Sequence, residues 1–345
     1  MQNRQMMIDK NALKMISLIF IVCFTVVFPA HARQYLKMAS LAPKNVGWAR
    51  NICKIMHPAL ERITKDKLKL KWFWGGIRGD DSDYIEQIKA GQLDGAALTS
   101  FGLILACPEM AVLETPFLFN SYEEVDYIRE NMWKTFDYIA EKNGFKILIW
   151  ADQDFDQIYS VTHPMKQFQH FQQAKFIQWN GIVEQKMFET LQFNFLSMKV
   201  SEIYPSIEQN IADTYIGPSI WVVGSQLYPI FKYINPMKIR YSPAGAVISL
   251  KIWNSLPKQY QDALTEVRTY EGKLFCQKTR MDSDKAFQAM VKYGMQVSQT
   301  DPATIKILKE KSLPLRNQLV GSLYSQAILY ELLNHLSVFR SKETE

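Results

Sequence analysis

Cysteine is scarce in this chain: four residues in 345, at positions 23, 53, 107 and 276. They form no C-x-x-C pair and no cluster with histidine, which excludes a structural zinc site. The five histidines (His31, His57, His163, His170 and His335) are scattered, with no H-E-x-x-H or H-x-H spacing. Charge of one sign is lacking too. Lys and Arg number 40 against 34 Asp and Glu, a net of +6 with no basic stripe to follow a nucleic acid. Catalytic loops are equally hard to find. Gly75-Gly-Ile-Arg-Gly79 has neither the spacing nor the Lys-Ser/Thr of a phosphate loop, and Gly224-Ser225 lacks the second glycine of a nucleophile elbow. Asp80, Asp81 and Asp83 come without the glycine and distal Glu of a calcium loop. They read instead as charges at a helix start. No cofactor is implied, and no constellation resembles that of an enzyme.

Long apolar runs are absent except at the N-terminus. Arg4, Lys10 and Lys14 precede Met15–Phe28, which is apolar, and Pro29-Ala-His-Ala32 then ends in small residues. A spanning helix needs roughly 18–20 apolar residues. The shorter run is expected to be a secretory signal covering 1–32, with the mature chain starting at Arg33. That chain keeps three cysteines, and a protein of this size builds its core without a disulfide, so none is expected.

What is present is a folded composition: 48% apolar and 13% aromatic residues, with a length suited to two domains or one bilobed unit. Periodicity gives alternating elements. Strands are expected at 34–40, 68–74, 95–99, 145–150, 174–179, 211–216 and 244–250. Helices are expected at 45–64, after the Asp80 cap, and at 123–143, 182–191 and 202–209. One long helix or a kinked pair should run from Pro257 to about Met295, followed by two helices within 304–338. This order implies an α/β protein with mainly parallel sheets. Gln92-Leu-Asp94-Gly-Ala and Asn210-Ile-Ala-Asp213-Thr-Tyr echo each other, as two similar lobes around a cleft would. Trp72, Phe73, Trp74, Trp150, Trp179, Tyr215 and Trp221 fall at or near strand ends, where aromatic rings either fill a core or line a ligand cleft.

Several stretches in order resemble one family. They are Trp74-Gly-Gly-Ile-Arg-Gly79, Ile85-Glu-Gln-Ile-Lys-Ala-Gly-Gln-Leu-Asp94, Pro108-Glu-Met-Ala-Val-Leu-Glu-Thr-Pro-Phe-Leu-Phe119, Glu202-Ile-Tyr204 with Asp213, and Trp253-Asn-Ser-Leu-Pro257. The chain is thereby similar to the substrate-binding subunits of TRAP transporters, the DctP-type extracytoplasmic solute receptors. The resemblance implies a two-lobed α/β fold with a ligand cleft and a long linking helix. Residues 33–153 would form mainly the first lobe and 154–250 mainly the second, with 251–345 packing across both. It also implies a non-enzymatic periplasmic protein that delivers a small molecule to a TRAP membrane permease. Some relatives pair with a helical-repeat periplasmic protein, for which the C-terminal helices would be the surface.

By the match of motifs, the ligand contacts are expected at Trp74, Thr99, Phe101, Asp156, Gln178, Val200, Tyr215, Gly217 and Trp221. The chain departs from the family at its clamp. Gln178 stands where the family carries the Arg that grips a carboxylate, Asp156 where a second Arg is frequent, and Gly217 where an Asn contacts ligand. A neutral amide cannot supply the charge-assisted pair. An uncharged or hydrophobic ligand is therefore expected. The alternatives are a carboxylate receptor in which Lys175 or Arg240 replaces the clamp, a receptor for an ABC permease or sensor, or a secreted hydrolase.

Overall fold

The computed structural model describes residues 34–343, so the expected signal at 1–32 lies outside the described residues. The strands, in chain order, are β1 (Gln34–Ser40), β2 (Leu68–Phe73), β3 (Gly95–Leu98), β4 (Phe145–Phe155), β5 (Gln157–Ser160) and β6 (Lys175–Gln178). They continue as β7 (Asn194–Ser197), β8 (Thr214–Gly217), β9 (Tyr233–Asn235), β10 (Tyr241–Ser249) and β11 (Gln296–Val297). Two sheets result, in the orders β2-β1-β3-β10-β4 and β11-β9-β5-β8-β6-β7. Each is the sheet of one lobe.

The sheets are mixed rather than mainly parallel. Strands β2, β1 and β3 run parallel, but β10 is antiparallel to both β3 and β4. The reason is the way the chain changes lobe. Strand β4 passes almost directly into β5, while β9 returns through 236–240 into β10, so β10 comes home in the opposite sense. Although it falls within 154–250, β10 lies inside the first sheet. Pro243 brings no amide donor to the ladder, and the β10–β4 register slips beside it.

Strand β4 is longer than its apolar run suggests. Asp152, Gln153, Asp154 and Asp156 read as loop, yet all four are buried because distant partners hold them. Asp152 meets Arg129 and Arg280, and Asp156 meets Arg240.

The first helical run, 47–64, comprises α1 (Gly47–Asn51), a π-turn and α2 (His57–Thr64). Helix α3 (Asp81–Lys89) starts as the aspartates indicate, with the Asp80 amide donating to Asp83 Oδ2 at 2.7 Å. Then follow α4 (Ser100–Ala106), α5 (Tyr122–Lys142), α6 (Gly181–Leu191) and α7 (Ser219–Gly224). The long helix α8 (Lys258–Tyr293) is a single unit of 36 residues. At 1.5 Å per residue it is about 54 Å long. Its buried side chains change cluster along its length. Leu264 and Val267 pack with β1 and α2, Phe275 and Cys276 with Ile52 and Ala151, and Met290 with the second lobe's Trp179 and Tyr215. Behind it the chain closes with Pro302–Ser312, Leu315–Gln318 and α9 (Gln326–Glu343), three helical segments where two were expected, with Pro314 separating the first two.

Cys53, Cys107 and Cys276 are all free thiols. Among the described residues no helix is long and apolar enough to cross a membrane.

The opposite face of the first sheet holds the largest core. Phe136 of α5 is fully buried there and meets Trp150 edge-on, with ring centroids 5.4 Å apart. Phe136→Ala is expected to lower stability by about 3–5 kcal/mol. Urea unfolding followed by tryptophan fluorescence measures it, and a loss below ~1 kcal/mol would mean that this face repacks freely.

Candidate functional site

One face of the first sheet is floored with small side chains. Strand register aligns Ser40 with Ala97, Ala97 with Ala246, and Ala246 with Ile149, one row across four strands. Ala244 pairs with Ala151 in the next row. Helices α1, α2 and α8 roof this face, but alanines do not reach the roof. A cavity of about 120 Å³ remains. Its walls are Ile52 and Met56 from the first helical run, Leu264, Val267 and Phe275 from α8, and Leu70, Leu148 and Ile149 from the strands. At the lobe junction it is bounded by Trp48, Trp179 and Trp221, with Thr99 and Gln153 as polar wall residues. Left empty, a void of that volume costs about 3 kcal/mol at ~24 cal/mol per Å³. A ligand that fills it recovers that cost.

The cavity offers few polar groups. The Thr99 hydroxyl donates to the Asp81 carboxylate, which also accepts the Thr99 amide at 3.1 Å. Its oxygen is left to accept from a ligand. Burial pushes the Asp81 carboxyl up to about 7, against the hydrogen bonds from Thr99. The Trp221 indole N–H is buried without a partner, an unused donor at the junction. Trp179 spends its N–H on the Ile216 carbonyl at 2.9 Å, and Trp48 donates to the Asp152 carbonyl at 3.3 Å. Arg268 lends the cavity its stem, while its guanidinium lies over the Trp133 ring at 4.4 Å.

Of the nine expected contacts, Thr99 and Trp221 line the cavity. Two more stand one layer back: Trp74 stacks on Trp72 at 4.5 Å, and Tyr215 stacks on Trp179 at 5.8 Å. The other five lie outside the wall. Phe101 packs on Gly181, whose φ is +82° and whose missing Cβ leaves the room that ring occupies. Gln178 donates its amide to the Gly181 carbonyl at 2.7 Å. Gly217 lies under the Tyr215 hydroxyl, Val200 packs in the second lobe's core, and Asp156 is bound to Arg240. Sequence reasoning passed over Trp48 and the alanine floor. The only available signal was the run of small residues in β3 and β10.

Arg240, a candidate for a replacement clamp, is held among acids, with its Nη1 buried and unpartnered. It is wholly buried and gives Asp156 Oδ2 two hydrogen bonds, of 2.9 and 2.6 Å, with Glu184 at 3.1 Å. Burial works against its charge, but Asp156 and Glu184 hold its pKa above the ordinary value. Lys175 is exposed at the far end of β6, three residues or about 10 Å from Gln178. Neither side chain lines the cavity. Two further carboxyls face this junction without a direct cation. Burial raises Glu114 and Asp154 each to about 7, although Tyr122 donates to Asp154 at 2.7 Å. Among the described residues no group of acidic, His and Cys side chains could hold a metal.

Comparison with known proteins agrees with this architecture. The sequence profile of bacterial extracellular solute-binding protein family 7 (DctP) matches residues 39–321. An uncharacterised Haemophilus influenzae protein is 25% identical over 59% of this chain and 61% of its own length. The 2,3-diketo-L-gulonate-binding periplasmic protein YiaO of Escherichia coli is 24% identical over 71% of this chain and 75% of its own. The crystal structure of a Haemophilus influenzae TRAP periplasmic solute-binding protein with bound L-gulonate has a TM-score of 0.81 at 18% identity. That likeness covers 88% of this chain and 99% of the other.

Two predictions follow from the buried charges. Arg240→Met leaves Asp156 and Glu184 uncompensated and is expected to cost about 3–5 kcal/mol in urea unfolding. Asp154 tests the pH dependence. Its folded pKa, about 7, lies above the ordinary 3.8, so the stability it contributes is complete below the unfolded value and lost as pH rises through 7. Asp154→Asn removes that loss. Its stability relative to the parent should therefore improve by about 2–3 kcal/mol from pH 5 to pH 8, at ~1.36 kcal/mol per pKa unit. A difference that stays constant with pH would contradict the assignment.

Proposed function

We infer the function from one premise: the chain belongs to bacterial extracellular solute-binding protein family 7. The protein is a receptor that captures a small molecule between its lobes and hands it to a membrane permease of the TRAP type. It is exported, its signal is removed after Ala32, and it performs no chemistry on what it binds. The ligand is uncharged and predominantly apolar. The observation that carries this is the cavity wall, where the one cationic side chain, Arg268, directs its guanidinium to Trp133 rather than inward.

The neighbour with L-gulonate shares the fold, so the same frame accommodates an acid elsewhere. In this chain a carboxylate at Thr99 and Trp221 would lose charge-assisted hydrogen bonds worth roughly 1.5–3 kcal/mol each. It would also sit near Asp81. An apolar ligand is held instead by burial, at about 25 cal/mol per Å². For Arg240 to act as a clamp, it would have to leave Asp156 and Glu184, which is the least favourable reading of its geometry. A helical-repeat partner would find its surface on α9, where Tyr330 is 72% exposed.

Calorimetry of the mature protein against L-gulonate and succinate is expected to show no binding tighter than millimolar. Mass spectrometry of molecules released from the purified protein should find a neutral, apolar compound. Micromolar binding of either acid would overturn the reading. Genes for a small and a large integral membrane subunit beside this one would support delivery to a TRAP permease, and a gene for an ATPase would count against it.

A further inference from the structure

The cavity does not stop at the lobe junction. Its lining draws on all five strands of the first sheet, from Leu148 and Ile149 on β4 through Ala246, Ala97 and Met38 to Leu70 on β2. Four inter-strand gaps make that floor roughly 19 Å wide. Thr99, Gln153 and Trp221 are the polar wall groups by the junction, Ser40 and Arg268 also line the wall, and the side chains beneath α2 and α8 are mostly apolar, Trp72 and Phe275 among them. At the far end, Leu60 and Leu70 line both this cavity and a separate outer pocket beside His57 and Tyr35. Those two leucines are the partition between the interior and the outer surface. Trp72 is fixed next to them by an indole N–H donated to His57 Nε2 at 2.7 Å.

We propose that this trough is a hydrocarbon-tail channel. The ligand is a single-chain amphiphile whose uncharged head lies at Thr99 and Trp221 and whose tail runs over Ala97 and Ala246 toward Leu60 and Leu70. The proposal rests on the neutral-ligand reading above and adds the shape of the molecule. A compact neutral solute would need only the junction end. It would leave the space beneath α8 unfilled, and native interiors close such voids unless something occupies them. The small residues are what keep the trough open. Ala97 and Ala246 come from strands of unlike sequence about 150 positions apart, and register alone sets them side by side. The head needs one acceptor for the Trp221 N–H and one donor for the Thr99 oxygen, which a hydroxyl or primary amide supplies.

The test is a chain-length series. Primary alcohols from butanol to dodecanol, and the matching n-alkanoates, are titrated into the mature protein by calorimetry. Alcohol affinity should rise about fourfold per methylene, the equivalent of ~0.8 kcal/mol per buried CH₂, and then level off. Two variants move that limit in opposite directions. Ala246→Leu fills the trough and should end the gain at shorter chains. Leu60→Ala opens the partition and should extend it, so the proposal stays testable if one of them folds poorly. Alcohol binding with no dependence on chain length, or a series left unchanged by both variants, would overturn the channel while leaving the neutral ligand in place. Alkanoates binding tighter than alcohols, with the chain-length gain intact, would overturn the neutral head and keep the channel.

Discussion

A guanidinium sealed from water is tolerated only among carboxylates, and Arg240 is placed where the rest of this molecule depends on that rule. Removing an ion from water costs several kcal/mol, which Coulomb attraction and hydrogen bonds must offset together. Asp156 and Glu184 do so here. Their positions are architectural. Asp156 lies between β4 and β5, where the chain leaves the first lobe, and Arg240 precedes β10, where it returns. The Asp156 amide donates to the Arg240 carbonyl at 3.1 Å, so backbone and side chain bind the same two crossing segments. Glu184 extends the cluster into α6 by accepting the amides of Trp179 and Asn180, both at 2.9 Å. Asn180 then reaches Ser100 at 2.7 Å across the junction.

That arrangement governs the site. Arg240 is engaged where the chain crosses between the sheets and does not line the cavity, whose polar wall residues include Ser40, Thr99, Gln153 and Arg268. The same economy is visible in Asp152, which accepts from the Tyr241 hydroxyl and from both Arg129 and Arg280. Burial opposes its ionisation, but the two arginines hold its pKa below the ordinary range. Above these fixed charges α8 lies across both lobes. Its residues near Leu264 roof the cavity, and those near Met290 are buried in the second lobe.

Much of this was legible in the sequence. The order of strands and helices followed from periodicity, and the Asp80 cap from its run of aspartates. Strand β4 was cut short because Asp152, Asp154 and Asp156 look like a polar loop. Only partners at 122, 129, 240 and 280 keep Asp152 and Asp154 in the strand and Asp156 buried just after it, and no local pattern announces partners so distant. The direction of β10 was missed for a related reason, since it depends on the chain's route through the other lobe. For the site, family motifs located Thr99 and Trp221 on the wall and set Trp74 and Tyr215 one layer behind it. They also selected Phe101, Gln178 and Asp156, which lie off this wall: Phe101 packs on Gly181, Gln178 donates to the Gly181 carbonyl, and Asp156 binds Arg240 through Oδ2. The alanine floor had only the small residues of β3 and β10 as a signature, and these gain meaning only when strand register brings them together.

Selection against acids in such a site does not require repulsion. Within the junction each arginine already faces a carboxylate: Arg129 and Arg280 face Asp126 and Asp152, and Arg240 faces Asp156 and Glu184. Glu114, Asp154 and Asp81, raised to about 7 by burial, sit near their midpoint at neutral pH and hold part of their population protonated. The one arginine on the cavity wall outside these pairs, Arg268, lies over the Trp133 ring. Displacing a resident acid from an arginine would only transfer the uncompensated charge, at a cost of several kcal/mol. A neutral ligand disturbs none of these pairs. It fills space that alanines leave open and needs from the protein only groups that carry no charge. On the neutral-ligand proposal, a different ligand class needs no new fold: the frame is kept, and Arg240 is bound to Asp156 and Glu184 where the chain crosses between the sheets.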